Sequence, residues 1–318
     1  MGDPGGVGAE IIVKALQSSE VRNICVPIVV GDLSVMEAAI ALVKLPLKLR
    51  RIETPREAKP SRGVIEVIDI DGVKDTLANR PTAEGGKASA AYIRTAIDLA
   101  LDRQVDAIAT APISKEALKM AGVKWPGHTE MLAELTRTKD YAMMLVGGPL
   151  RVILVTIHTA LGNVPGLITK QSVLKTIHLA AKACEMLNIR KPRIAVAGLN
   201  PHAGEAGMFG DEEIREIVPA IKEAIREGLP VTGPYPPDTV FHKAYKGEVD
   251  IVVCMYHDQG LIPLKMIAFD SGVNVTVGLP FVRTSPDHGT AYDIAWKGTA
   301  NPSSMIEAIK LAAKLKIY

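Results

Sequence analysis

Short apolar runs alternate with longer stretches of helical spacing along the whole chain. VPIVVG (Val26–Gly31) is a β-rich run, and Leu33–Val43 after it has helical composition. VIEVIDI (Val64–Ile70) predicts a strand, and Ala88–Leu101 predicts a helix. DAIATAP (Asp106–Pro112) predicts a buried strand that ends in a turn. LRVILVTIH (Leu150–His158) is another strand, followed by an amphipathic helix over Gln171–Leu187. RIAVAGLNPH (Arg193–His202) repeats strand-then-loop, with a helix over Glu212–Glu227, and VDIVVCMYHD (Val249–Asp258) repeats it again. VNVTVGLP (Val273–Pro280) and a helix over Pro302–Lys314 close the series. This rhythm predicts an α/β fold with a largely parallel sheet, because parallel neighbours need a crossover between them.

The chain has 318 residues, enough for one large domain or two ordinary ones. Candidate boundaries are the Trp125–Gly127 turn and the stretch around Ser271–Val273. Aromatics make up only 4%, so the core must rest on Ile, Val, Leu, Ala and Met. A net charge of +2, from 37 basic and 35 acidic residues, gives no reason to invoke nucleic acid or a membrane surface. Cys25, Cys184 and Cys254 are odd in number and widely spaced in apolar contexts. They read as free buried thiols, which suits a reducing cytoplasm. No apolar run approaches the ~20 residues of a membrane helix. The opening MGDPGGVGAEI has no basic stretch followed by an apolar core, so no secretory signal is expected.

The most informative chemistry is where three histidines fall. His158 follows VILVT, His202 follows IAVAGLNP, and His257 follows DIVVCMY. Ligands of open α/β sheets sit beyond the carboxyl ends of the strands. Neutral imidazoles meeting there, in one chain or across a dimer, would hold Zn²⁺ or a similar ion with a position open for substrate. Each histidine alone reads more readily as a locally satisfied polar residue, and three in matching places shift the balance toward a metal. His178 and His242 sit in predicted helices and read as surface or packing residues. Asp258 beside His257 would orient it or cap a helix.

GHTEM (Gly127–Met131) places His128 and Thr129 at a predicted helix start, where Thr129 caps the helix or free N–H groups meet an anion. Lys265 lies one helical stretch after His257, Asn274 lies in SGVNVTVG, and Arg283 lies in the Gly/Pro loop GLPFVRTSPDHG. Together they suit a phosphate or carboxylate, although each alone is more often a solvated residue. The glycines of MGDPGGVGAE do not match G-x-G-x-x-G, and a turn that packs a helix closely is the better reading.

MGDPGGVGAEI, GHTEML, LNPHAGE, DTVF, HDQGLIPLK and FDSGVNVTVGLPFVRTSPDHGTAYDIA together resemble the 4-hydroxythreonine-4-phosphate dehydrogenase family of vitamin B6 biosynthesis, from Met1 to the last helix. The resemblance implies a two-lobed α/β/α sandwich of the isocitrate/isopropylmalate dehydrogenase-like type, with a mostly parallel sheet and no Rossmann domain. One lobe would span 1–125 plus 275–318 on the cofactor side, and the other 126–274 with the histidines and the dimer contact. It implies a homodimer whose active site is shared between subunits. His158, His202 and His257 match the metal ligands, for Zn, Mg or Co. His128, Thr129, Lys265, Asn274 and Arg283 match the substrate residues, and Lys265 and Asp238 are the catalytic candidates. By analogy with isopropylmalate dehydrogenases, His288, Gly289, Thr290, Ala291 and Asp293 would lie near NAD, or NADP.

The resemblance further implies oxidation of 4-phosphooxy-L-threonine at C3 and decarboxylation to 3-amino-2-oxopropyl phosphate. Two alternatives stay open: the same oxidation of D-threonate or D-erythronate 4-phosphate, and a metal-dependent phosphate-ester hydrolase. The family pattern has a short strand before GDP that is missing here. It also has a small glycine where Trp296 stands, so a Trp there is expected to crowd or reshape the cofactor loop.

Overall fold

A computed structural model of the chain describes residues 1–73 and 79–317. The chain divides into two compact units. The first comprises Met1–Lys139 and Leu279–Lys314; the second comprises Asp140–Gly278 and the chain end from Leu315. The first crossing was expected near residue 125 and falls after Lys139. The reason is that Met131 and Leu132, on the helix His128–Leu135, are buried with Ile93, Ile97 and Ile108 of the first unit. The return was expected near residue 274 and falls after Gly278, once the strand that contains Asn274 is complete. Among the described residues no helix is long and apolar enough to cross a membrane.

In the first unit β1 (Ile28–Gly31), β2 (Lys48–Arg51) and β3 (Val64–Asp69) form a parallel sheet in the order β1-β3-β2. Glu66 of β3 is buried and paired with Arg50 of β2. β4 (Ala107–Ala109) stands in the same unit. The core joins Ile11 and Val13 of the helix Gly8–Gln17 to Met36, Val67, Tyr92 and Met305. The helix expected over Ala88–Leu101 begins earlier, at Ala83, because the Thr82 hydroxyl caps it by accepting from Gly85 N at 3.0 Å. That cap offsets the poor helix propensity of Gly85 and Gly86.

The second unit contains β5 (Ala142–Gly147), β6 (Leu150–Leu154), β7 (Ile194–Ala197), β8 (Val231–Tyr235), β9 (Ile251–Cys254) and β10 (Val273–Val277). Their order is β10-β5-β6-β9-β7-β8. The pairs made by β5 are antiparallel, whereas β6-β9, β9-β7 and β7-β8 are parallel. β6, β9 and β7 are therefore adjacent and point the same way, and each is followed by one of the three histidines singled out above. The chain returns to the first unit in β11 (Val282–Pro286), which pairs parallel with β4. The architecture is α/β with mostly parallel strand pairing.

Four strands carry no clear signal in the sequence. β2 is KLRR, with a single apolar residue. β5 is methionine-rich, with Val146 its one β-branched residue. β8 contains Gly-Pro and lies at the end of the strand order. β11 reads as a polar loop, yet all of Val282–Pro286 is buried, so Arg283 stands on a strand and not in a loop. Tertiary packing there overrides a pattern that looks solvated.

Gly86 tests the packing of the first unit. A Cβ there would run into the Ala117 carbonyl of the facing helix Lys115–Met120. Gly86→Ala should therefore destabilise the protein by about 1–3 kcal/mol from overpacking, despite the better helix propensity of alanine. Urea unfolding midpoints measure this, and a stabilised variant would refute the close approach.

Candidate active site

The three strand-end loops of the second unit are tied together beneath the histidines. Thr156 on the His158 loop donates its hydroxyl to Met255 O at 2.8 Å, and Val155 N reaches Cys254 O at 2.9 Å. Buried Gln259 accepts from Met255 N at 2.6 Å and donates to Gly198 O at 2.7 Å, which joins the ends of β9 and β7. These bonds carry the register of the sheet into the loops.

His158 and His257 come together, with ring centroids 5.6 Å apart. His257 opens the helix His257–Ala268, and its Nδ1 lies 2.6 Å from Asp258 Oδ1. With Nδ1–H donating to that carboxylate, Nε2 keeps a lone pair for a cation. At a Zn–N distance of ~2.0–2.1 Å, two imidazoles on one tetrahedral ion would have centroids roughly 5 Å apart. The observed pair fits a shared divalent ion. His202 is exposed, with its ring centroid 6.2 Å from that of Phe209. No group of three His, Cys, Asp or Glu side chains among the described residues stands ready to hold a metal. One chain thus brings two of the three histidines together and leaves the third separate. A cavity lined by Thr156, Ile157, His158 and Leu167 opens beside the pair.

In the first unit His128 and Arg283 form a second cluster. Arg283 is only 2% exposed, and its Nη2 donates to Thr110 Oγ1 at 2.7 Å. Burial lowers the pKa of its guanidinium to about 10. Burial, and then the Arg283 charge, push the His128 imidazole well below its usual range, so it is neutral at pH 7. His128 Nε2 is buried without a hydrogen-bond partner. A buried cation beside an unpartnered imidazole at a helix start suits a phosphate oxygen. Gly127 is the N-cap of that helix, and Thr129 lies inside its first turn, so the expected Thr129 cap is not made. Thr110 is a site residue that sequence reasoning missed; its place at the end of a strand was the one available signal.

Lys265 and Asn274 belong to the second unit, whereas His128 and Arg283 belong to the first. Lys265 is half-buried, with Nζ 5.7 Å from the Phe269 ring centroid. Asn274 lies on β10 with its Oδ1 buried and unpartnered. Asp238 is exposed in the first turn of the helix Pro237–Tyr245.

The loop 288–298 is clasped to the glycine loop at the chain start. Val7 N donates to Thr290 O at 3.0 Å, and the Tyr292 hydroxyl donates to Asp3 Oδ2 at 2.8 Å. A Cβ on Gly6 would stand 3.0 Å from Thr290 Cβ, so the glycine loop is a close-packing device, as its sequence suggested. His288, Gly289 and Asp293 remain exposed, whereas Thr290 and Ala291 are half-buried. Trp296 does not crowd this loop. It adopts a left-handed backbone with φ 60°, and its indole N–H donates to Pro4 O at 3.0 Å. The ring packs against the core of the first unit and adds a third tie between the two loops. An exposed, firmly anchored loop of this kind fits a cofactor lying across its backbone.

Comparison with known proteins decides the family. The pyridoxal phosphate biosynthetic protein PdxA family matches residues 23–312. The chain belongs to this family. It is 51% identical over 316 residues to a 4-hydroxythreonine-4-phosphate dehydrogenase of Desulforapulum autotrophicum, covering 98% of this chain and 93% of that protein. It is also 50% identical over 323 residues to a D-threonate 4-phosphate dehydrogenase of Salmonella typhimurium, covering 99% of this chain and 97% of that one. Among solved structures, a 4-hydroxythreonine-4-phosphate dehydrogenase of Klebsiella pneumoniae matches with a TM-score of 0.92 at 46% identity. That match covers 99% of this chain and 96% of the other.

The half-buried His128, with its Nε2 shielded from solvent, has a consequence for stability. Its folded pKa lies below the unfolded value of 6.5, so between the two the unfolded chain binds a proton that the folded chain refuses. Its contribution is unaffected above pH 6.5 and declines as pH falls below it, by up to about 1.4 kcal/mol at pH 5.5. His128→Asn should flatten that part of the profile, read as urea midpoints at pH 7.5 and 5.5. Equal slopes in the two proteins would mean that the ring is not held neutral.

Proposed function

We propose that the chain is a 4-hydroxythreonine-4-phosphate dehydrogenase, oxidising 4-phosphooxy-L-threonine at C3 with NAD and a divalent metal ion. The observation that carries this reading is the His158–His257 pair at adjacent parallel strand ends, in a member of this family. Family membership also favours oxidation over phosphate-ester hydrolysis.

His158 and His257 of one subunit, with His202 of another, would hold the ion. When bound, the ion supplies Lewis-acid polarisation at the reacting oxygen, and the nicotinamide supplies the hydride acceptor. The chain's own residues do the rest. Arg283 and His128 would hold the phosphate, with Thr129, Lys265 and Asn274 completing the substrate contacts. Lys265 would hold the phosphate or assist transfer of the proton that leaves the C3 hydroxyl, and Asp238 is the second catalytic candidate. His288, Gly289, Thr290, Ala291 and Asp293 would line the cofactor, with Trp296 and Tyr292 keeping that loop in place. The ketone formed at C3 is β to the carboxylate, and such an acid loses CO₂ readily to leave 3-amino-2-oxopropyl phosphate.

The surface around the histidines supports a second copy of the chain. Leu161 near His158, Met208 and Phe209 near His202, Ile262 and Met266 on the His257 helix, and Phe269 just after it are all exposed. Met266 is 84% exposed and Phe269 75%, which water disfavours. A two-fold symmetric partner would cover this apolar surface and bring a third imidazole to the pair.

A relative of nearly equal identity is named for the amine-free acid, so the decisive assay is NADH formation with each substrate. Turnover with 4-phosphooxy-L-threonine is expected, and turnover only with D-threonate or D-erythronate 4-phosphate would replace the assignment. Phosphate release without nicotinamide would point to hydrolysis instead. Sharing of the site is tested by mixing His158→Ala and His202→Ala proteins, each expected to be inactive. Random reassortment of dimers should restore roughly a quarter of wild-type activity, whereas a site built from one chain gives no rescue. Arg283→Ala should raise the KM for the phosphorylated substrate on the order of tenfold or more, since charge-assisted hydrogen bonds contribute ~1.5–3 kcal/mol. An unchanged KM would remove Arg283 from the phosphate pocket.

A further inference from the structure

The loop that carries His202 has an unusual backbone. His202, Ala203, Gly204, Glu205 and Ala206 have φ values of 55°, 55°, 82°, 42° and 55°. L-residues avoid this left-handed region, and only glycine enters it freely. Consecutive left-handed residues persist only where their surroundings over-determine them, and such segments cluster at functional sites.

One buried side chain supplies that constraint. Glu213 is 3% exposed, and its carboxylate faces the loop. Oε1 accepts from Leu199 N and Asn200 N, both at 2.8 Å. Oε2 accepts from Asn200 Nδ2 at 2.9 Å. The same amide also donates to Glu212 Oε2 at 2.7 Å, which holds the Glu212 carboxyl below its ordinary range. Leu199 and Asn200, which lead through Pro201 into the left-handed segment, are thus pinned through their backbone or side chain. The loop also closes over this carboxylate. A Cβ on Gly204 would stand 2.7 Å from Glu213 Oε2, and one on Gly198 would stand 3.0 Å from Oε1. Glu213 itself opens a π-helical turn, Glu213–Ile217, before the helix Val218–Arg226. Such turns are rare in helices and recur at functional sites.

We propose that Glu213 is the positioning residue for His202: its carboxylate holds the left-handed segment that presents this imidazole to a metal. This rests on the assignment of His202 as a metal ligand. Glu213 acts by fixing the backbone that leads to His202, without itself holding the ion.

The experiment titrates Co²⁺ into metal-free full-length protein, following its visible absorption, for wild type, His202→Ala, Glu213→Gln and Glu213→Ala. Thermal unfolding of each metal-free variant and hydrogen exchange over 198–207 are measured alongside. Gln keeps one carbonyl oxygen for the two backbone N–H groups, so it should rescue part of what Ala loses. Losses on the order of 10-fold for Gln and 100-fold for Ala are expected, in the range seen for groups that orient metal ligands. Faster exchange over 198–207 should accompany them while the rest of the protein remains folded. Gly204→Ala should weaken Co²⁺ binding in wild type and do so less beside Glu213→Ala, since its clash is with that carboxylate. Wild type that binds Co²⁺ through His202 while both Glu213 variants bind equally well overturns the inference alone. Loss of affinity that merely follows global unfolding also overturns it. Wild type that takes up Co²⁺ no better than His202→Ala overturns the metal assignment, and the inference with it.

Discussion

Parallel strands joined by crossovers send their carboxyl ends to one edge of a sheet, and the second unit depends on this constraint. β6, β9 and β7 are neighbours in the parallel part of the order, so the loops leaving them begin about one strand spacing apart. His158 and His257 leave adjacent strands, which accounts for their 5.6 Å separation. Hydrogen bonds from Thr156 and Gln259 transmit the sheet's register into the loops. A flexible connection could not hold two imidazoles at a spacing that a single ion would accept.

Charge burial follows the same logic in the first unit. β11 places Arg283 inside the protein, where Thr110 receives one of its N–H groups. A buried guanidinium is costly unless an anion or a polar partner faces it, and its charge adds to the burial that suppresses protonation of His128. The proposed phosphate would turn that cost into affinity. A similar balance recurs at the His202 loop, where unfavourable backbone angles are offset by a buried carboxylate that accepts from the N–H groups of Leu199 and Asn200.

The glycine loop and the 288–298 loop illustrate how a local departure can be absorbed. A left-handed position is suited to glycine, yet Trp296 occupies one and gains a hydrogen bond to Pro4 and contact with the core. Tyr292 adds a second bond to this start of the chain, at Asp3. The bulk expected to disturb this loop instead fastens it, because the ring turns toward the protein and not toward the exposed residues His288 and Gly289.

The alternation of apolar runs with helical spacing determined the α/β class, and motif content determined the family, because both are carried by residues in linear order. The strand-end positions of His158, His202 and His257 were legible for the same reason. Tertiary structure alone decided that His158 and His257 meet while His202 stands apart, since strand order is not written in local sequence. It also decided that β11 is a buried strand and that Gly127 caps the His128 helix, where neighbours outweigh composition. Nothing in the sequence singles out Glu213 within the helix expected over Glu212–Glu227. Only long-range folding brings Leu199 and Asn200 against it, and no spacing along the chain announces that contact.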